Sequence, residues 1–126
     1  MKTETKDEAL AVELQELYLT GKQWLSDLDF LESEEHFLRH QLTIAAAGTI
    51  VNNLTARLDD ARLNHQKLFD NVHDFLNKME RLIVESGSGI NLQLVEDFIS
   101  LQTAVAGALA VLKSIKYGLI ESKWAA

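Results

Sequence analysis

The sequence predicts an all-α fold, an up-down-up antiparallel three-helix coiled-coil bundle. Three long segments place apolar residues at alternating spacings of three and four, and the 126 residues include no proline. Alternating spacings of this kind have the 3.5-residue period of helices that pack at a shallow crossing angle. Because proline breaks helix interiors, its absence also favours a chain made of long helices.

The first periodic segment predicts helix 1 over about residues 6–46. Thr5 and Glu8 form a capping box at its start, so residues 1–5 are expected to be flexible. The a and d heptad positions, which face the neighbouring helices, are Leu14, Leu17, Gly21, Trp24, Leu28, Leu31, Glu35, Leu38 and Leu42.

Two further segments predict helix 2 over about residues 50–85 and helix 3 over about 91–123. Between helices 1 and 2 the periodicity slips at Gly48 and Thr49, a plausible C′ glycine and N-cap. The run "SGSGIN" separates helices 2 and 3 and ends in Asn91, a good N-cap. Short links force neighbouring helices to run antiparallel, so residues 1–126 form one domain. The layout, with Trp24 on the seam, resembles that of spectrin-type repeats; by itself it implies no function.

Composition narrows the possible functions. The chain has no cysteine, which excludes disulfides, thiol nucleophiles and thiolate metal sites. With 19 acidic and 12 basic residues, the net charge of −7 disfavours nucleic acid and anionic membranes as partners.

Charges in the first fourteen residues do not fit a signal peptide. The most apolar window, 98–112, is shorter than a bilayer-spanning helix, which predicts a buried core helix in a cytoplasmic protein.

A glutamate, Glu35, stands on the predicted seam of helix 1. A carboxylate in an apolar seam is costly unless it is paired. Antiparallel packing sets it opposite Leu58, and helix 3 brings Lys116 and Tyr117 to the same layer. We expect Glu35 to interact with Lys116 or Tyr117 and to set the register of the bundle. A ligand-contacting acid is the functional alternative.

The seam of helix 2 carries a histidine, His65, in the predicted layer of Leu28 and Ala110. A lone histidine among aliphatic side chains is typical of a neutral, hydrogen-bonded core residue. The alternative is a ligand to a cofactor, but a haem would need a second axial ligand in the same layer, and the pattern offers none.

The stretch "ESEEHFLRH" over 32–40 invites comparison with a metal site. His36 and His40 are four residues apart and share one helix face, a spacing that can chelate a metal. They fall at positions b and f, on the side away from the other helices, where only Glu32 or another molecule could complete the ligand set. We therefore interpret this stretch as a solvated helix face and predict no metal.

Catalytic motifs are missing from the sequence. It contains no Glu-x-x-His pair of the kind that di-iron bundles use, and "SGSG" lacks the lysine of a phosphate-binding loop. "ESGSG" does not match the nucleophile elbow either. We expect no enzymatic activity and no cofactor.

Helix 1 carries apolar residues on the side away from its seam. Val12 and Leu19 occupy f positions, and Phe30 and Phe37 occupy c positions. An outer stripe of this kind commonly marks a partner or dimer interface.

Helix 3 also carries apolar residues outside its seam. Ile99, Val111 and Ile120 lie beside its seam, and Ala106 and Ala110 are small enough to admit another backbone. Because three helices cannot surround one of their own number, something else is expected to cover this helix.

These observations predict a non-enzymatic interaction or structural protein that self-associates through the apolar faces of helices 1 and 3, as a homodimer or larger homo-oligomer. A different protein partner is one alternative, and another is that the stripes are wide core faces. A bundle that binds a small ligand or metal through Glu35, His65 or the His36–His40 pair is the alternative from another functional class.

Overall fold

The computed structural model describes residues 2–45, 48–84 and 92–125 and contains three helices. They are α1 (Lys2–Ile44), α2 (Thr49–Val84) and α3 (Leu92–Ala125). The three helices pack against one another, and the described residues include no strand. The predicted all-α three-helix bundle is therefore confirmed.

The helix starts differ from the predicted ones in two places. α1 begins at Lys2, so Thr5 lies inside the helix instead of capping it. The expected flexibility of residues 1–5 stays a prediction. Nothing in "KTETK" breaks a helix, because the run has neither glycine nor proline. The "SGSGIN" break and its Asn91 cap lie outside the described residues.

The start of α2 also differs in detail. The carbonyl of Gly48 accepts a hydrogen bond from the Asn52 N–H at 3.0 Å, the first helical bond of α2. Gly48 is therefore the N-cap, and Thr49 is the first helical residue instead of the predicted cap.

Side-chain contacts define the directions of the helices. The α1–α2 contacts join late positions of α1 to early positions of α2 and the reverse, so these helices run antiparallel; they are Arg39–Asp59 at 2.6 Å and Tyr18–Glu80 at 2.9 Å. Likewise, α2 and α3 run antiparallel, with Arg57–Ser114 at 2.8 Å and Lys78–Asp97 at 3.8 Å. The first and third helices are consequently parallel, and a 3.7 Å ion pair joins Glu34 to Lys116.

The core is built from the predicted a and d positions. On α2 these positions, starting with an a, are Val51, Leu54, Leu58, Ala61, His65, Leu68, Val72, Phe75, Met79 and Leu82, and on α3 they are Phe98, Leu101, Val105, Ala108, Leu112, Ile115 and Leu119. Every one of these positions is buried or half-buried, and α2 adds Leu76 beside its seam. Trp24 anchors one layer, with its ring 5.0 Å from that of Phe98 and 6.2 Å from that of Phe75. Burying one large apolar side chain contributes about 1.5–3 kcal/mol, so this continuous seam is the main source of stability.

Glycine on the seam of α1 permits close packing. A Cβ added at Gly21 would lie 2.7 Å from Cδ2 of the buried Leu76, whereas a Cβ at Gly107 on α3 would meet nothing within 4 Å. The two glycines sit in helix interiors but differ in the space around them.

Replacing Gly107 with alanine should raise the free energy of unfolding by about 0.5–1 kcal/mol, because glycine is a poor helix former. Gly21→Ala gains the same propensity but forces Leu76 to move, so its net gain should be smaller or negative. Urea unfolding of the two variants at one protein concentration measures the difference. Equal gains would show that the core beside Gly21 is loosely packed.

Candidate functional site

A polar pair occupies the middle of the bundle. Nδ1 of His65 lies 3.1 Å from Oε1 of Glu35, and the two residues are only 7% and 9% exposed. Because a carboxylate can only accept a hydrogen bond, this contact requires a hydrogen on Nδ1 of His65. The polar residue on the α1 seam is thus satisfied by the polar residue on the α2 seam.

The predicted partner of Glu35 was wrong. Glu35 faces His65, one heptad beyond Leu58 along α2. The contacts Arg39–Asp59 and Tyr18–Glu80 agree with this register, so α2 is shifted by about one heptad relative to the simple antiparallel arithmetic. Lys116 pairs with the neighbouring glutamate, Glu34, and Tyr117 is exposed.

The Glu35–His65 pair borders two grooves. The groove between α1 and α2 has a volume of about 400 Å³, and its walls include Arg39, Arg62 and Phe69. Glu35 also borders a groove of about 330 Å³ that α2 and α3 line with residues such as Val111. No fully buried side-chain nitrogen or oxygen lacks a hydrogen-bond partner in the described part of the chain. The second oxygen of Glu35 and Nε2 of His65 are therefore accessible to solvent.

The two surface histidines of α1 are not brought together with further ligands. His36 lines the α1–α2 groove and His40 is exposed on the outside of the helix. Among the described residues, no group of three or more His, Asp or Glu side chains is placed to hold a metal ion.

The residues predicted to contact a partner are all solvent-exposed. On α1, Phe30 is 59% exposed and Phe37 54% exposed. The others are Val12, Leu19, Ile99, Ala106, Ala110, Val111 and Ile120.

Heptad positions show which side of the bundle each residue occupies. The e side of α1 contacts α2 through Tyr18 and Arg39, and its g side contacts α3 through Glu34. The corresponding contact of α3 comes from its e position, Lys116. The c positions of α1 and the b positions of α3 therefore point out of the same side, the side opposite α2.

An apolar surface formed by both helices covers this side; we call it the α1–α3 face. Its members from α1 are Phe30, Phe37 and Ile44, and those from α3 are Leu92, Val95, Ile99, Ala106, Leu109 and Ile120. Every one of them is exposed, so the bundle itself does not use this surface.

The structure separates some predicted residues from this face. Val111 is at a g position and lines the groove between α2 and α3. Val12, Leu19 and Ala110, at f positions, lie along the outer margins of the face. Sequence reasoning missed four members, although their heptad positions (c, b, e and e) mark them as such: Ile44, Leu92, Val95 and Leu109.

The outer surface of α2 differs from that of its neighbours. Its exposed large apolar side chains, within the described residues, are Ile50 and Leu63. In addition, α1 and α3 pack less closely with each other than either packs with α2. The excess apolar surface is thus concentrated on one side of the bundle.

The prediction that 98–112 is a buried core helix was wrong. Only 17% of the most apolar window in Leu92–Glu121 is buried, because α3 contacts its neighbours along one narrow side. With a mean hydropathy of 1.6, this stretch is long and apolar enough to cross a bilayer. By itself that is weak support for a membrane span, because core helices of soluble proteins pass the same test.

Comparison with protein-family models, curated proteins and solved structures finds no match to this chain. The physical properties of the face and of the polar pair therefore carry the functional argument.

The Glu35–His65 pair can be tested by a double-mutant cycle. His65→Leu leaves the buried Glu35 side chain without its partner and should cost about 1–3 kcal/mol. The double variant Glu35→Leu/His65→Leu should be as stable as the original chain or more stable, because apolar groups then replace a buried polar pair. Chemical unfolding of all four proteins gives the coupling energy. Additive losses from the two single changes would show that the pair does not act as a unit.

Proposed function

We propose that this protein is a non-enzymatic helical interaction protein that self-associates through the α1–α3 face. The observation that carries the proposal is the continuity of that face. Two helices contribute to one exposed apolar surface, while the third helix is polar on its outside. Exposed surfaces of this kind mark interaction sites in soluble proteins.

The size of the face suits a stable dimer. The members on α3 extend over about 42 Å and those on α1, from residue 30 to residue 44, over about 21 Å; each helix is about 10 Å wide. The resulting area of about 600 Å² lies at the lower end of what each partner contributes to a standard protein–protein interface. Phe30 and Phe37 would supply the aromatic anchors on which such interfaces depend.

A second copy fits the face better than a bilayer does. Asp27 and Glu34 lie at g positions of α1, in the valley between the two helices, and Lys116 lies beside them. Charged groups in a hydrocarbon layer are costly. In a protein interface they can pair with charges of the partner.

Size-exclusion chromatography with light scattering over a dilution series tests the proposal. We expect a mass of about twice 14.2 kDa that falls only at high dilution. A monomer at every concentration would rule out self-association.

Replacing both phenylalanines of the face, as Phe30→Asp plus Phe37→Asp, should convert the dimer to a monomer. Both side chains are exposed in the bundle, so helicity and the unfolding midpoint of the monomer should change little. We expect the dissociation constant to rise at least about 100-fold, because two aromatic anchors are lost and charges are placed in the interface. Light scattering and circular dichroism measure the two effects.

A matched control is available on α2. Leu63 is 63% exposed but lies on the opposite side of the bundle, so Leu63→Asp should leave the dimer intact. Unfolding of the double-phenylalanine variant would instead show that these residues are part of the core.

A second candidate function is binding of a small ligand in the α1–α2 groove. The specific observation is that the buried Glu35–His65 pair borders a groove whose walls also carry Arg62 and Phe69. A buried polar group with aromatic and cationic groups beside it is a common arrangement in ligand sites. Because Glu32 and Asp70 also line this groove, it offers charges of both signs beside the apolar ring of Phe69 to a small molecule.

Native mass spectrometry of the purified protein, combined with metal analysis, tests this second function. A stoichiometric added mass that is lost in Arg62→Ala would support it. A spectrum of the unmodified chain or its dimer alone, with no metal, would count against it.

A further inference from the structure

A dimer formed through the α1–α3 face can be built in two ways. The arrangement that we infer rests on the proposed self-association. A two-fold axis parallel to the helices sets α1 of one copy against α3 of the other, with the copies parallel. An axis perpendicular to the helices sets α1 against α1 and α3 against α3, with the copies antiparallel. Each arrangement is closed and isologous.

Charge distinguishes the two arrangements. The α1 side of the face carries the acids Asp27 and Glu34, and the α3 side carries the bases Lys113 and Lys116. An antiparallel dimer brings the acids of one copy toward those of the other. A parallel dimer brings them toward the lysines of the partner. Since like charges across an interface cost several kcal/mol, charge favours the parallel dimer.

Side-chain size favours the same arrangement. The contacts Trp24–Phe98 and Glu34–Lys116 show which positions of α1 and α3 lie at the same height in the bundle. Those two pairs place Phe30 level with residues 104–112 of α3, and the b position of that stretch is Ala106. Setting α1 against α3 of the partner therefore packs a large residue against a small one.

The antiparallel arrangement packs the same residues less well. Phenylalanine would face phenylalanine on the α1 side and hold the copies apart. When Phe30 faces Phe30 in this way, Ala106 faces Ala106 of the other copy across a gap on the α3 side. Interfaces reach the packing density of protein interiors, so matched large and small residues are preferred.

We infer that two copies associate in parallel, with α1 of each chain packed on α3 of the other and Phe30 seated over Ala106 of its partner. The product is a six-helix assembly in which α2 of each chain lies on the outside. Phe37 is level with Lys113 of the partner, where a lysine over an aromatic ring adds a cation–π contact.

Electron–electron distance measurements on spin-labelled protein test the arrangement. Because the chain has no cysteine, one introduced cysteine carries the only label. Gln15 and Glu121 are exposed positions near opposite ends of the bundle and lie outside the face, so Gln15→Cys and Glu121→Cys should leave it intact. Light scattering on each labelled protein is recorded first.

In the parallel dimer of either variant, the labels of the two copies lie at the same end of the assembly. The distance between these two labels should be roughly 15–30 Å. A mixture of the two variants should add a long distance of about 45 Å, from some 30 residues of helix rise. The monomeric Phe30→Asp plus Phe37→Asp background should give no intermolecular distance in either variant.

The opposite pattern, with long distances within each variant and short ones in the mixture, would overturn the parallel arrangement while leaving self-association in place. If the Phe30→Asp plus Phe37→Asp variant still has the mass of a dimer and still gives intermolecular distances, another surface forms the dimer. A monomer in light scattering would overturn the proposed function itself.

Discussion

The burial capacity of a three-helix bundle is the constraint on which the rest of this structure depends. Each helix meets two neighbours along its a and d positions, and its b, c and f positions point outward. α2 obeys this limit, with apolar residues on its inner side and polar residues outside. α1 and α3 exceed it, because Phe30 and Phe37 on one and Ile99 and Ile120 on the other lie where the bundle cannot cover them. Folding therefore leaves apolar surface exposed.

The position of this surplus is as informative as its existence. Scattered apolar side chains are normal on any protein surface. Here the c positions of α1 and the b positions of α3 open onto the same side, because these two helices run parallel and meet through Glu34 and Lys116. Two modest stripes thus combine into one face of dimer size. Acids lie on its α1 half and lysines on its α3 half, the charge pattern on which the proposed parallel dimer depends.

The polar pair and the apolar face are separate features. Glu35 and His65 satisfy each other inside the bundle, a use of buried polar groups that restricts register because any slip would leave both unpaired. The pair joins α1 to α2, whereas Trp24–Phe98 and Glu34–Lys116 join α1 to α3. The pair therefore contributes to the bundle that presents the face and does not lie in the face itself.

The sequence by itself determined the helices, their order and nearly all of the core. Heptad spacing and the absence of proline are local properties, and they were sufficient to predict three helices and the burial of Leu28, Leu58 and Ile115. The same spacing marked Glu35 and His65 as seam residues and Phe30 and Phe37 as outer ones. Helix ends were less well predicted at Lys2 and Gly48, where no strong breaker marks the boundary.

Only the tertiary structure decided how these parts meet. A heptad repeat looks the same after a shift of seven residues, so it could not exclude the register that placed Glu35 beside Leu58 instead of His65. Contacts between α1 and α2, Glu35–His65 and Arg39–Asp59 among them, fix that register in the packed bundle, and the repeat does not encode it. The sequence of a single helix also could not show that its outer apolar stripe joins the apolar stripe of another helix. That depends on which sides of α1 and α3 face each other, a property of the packed bundle.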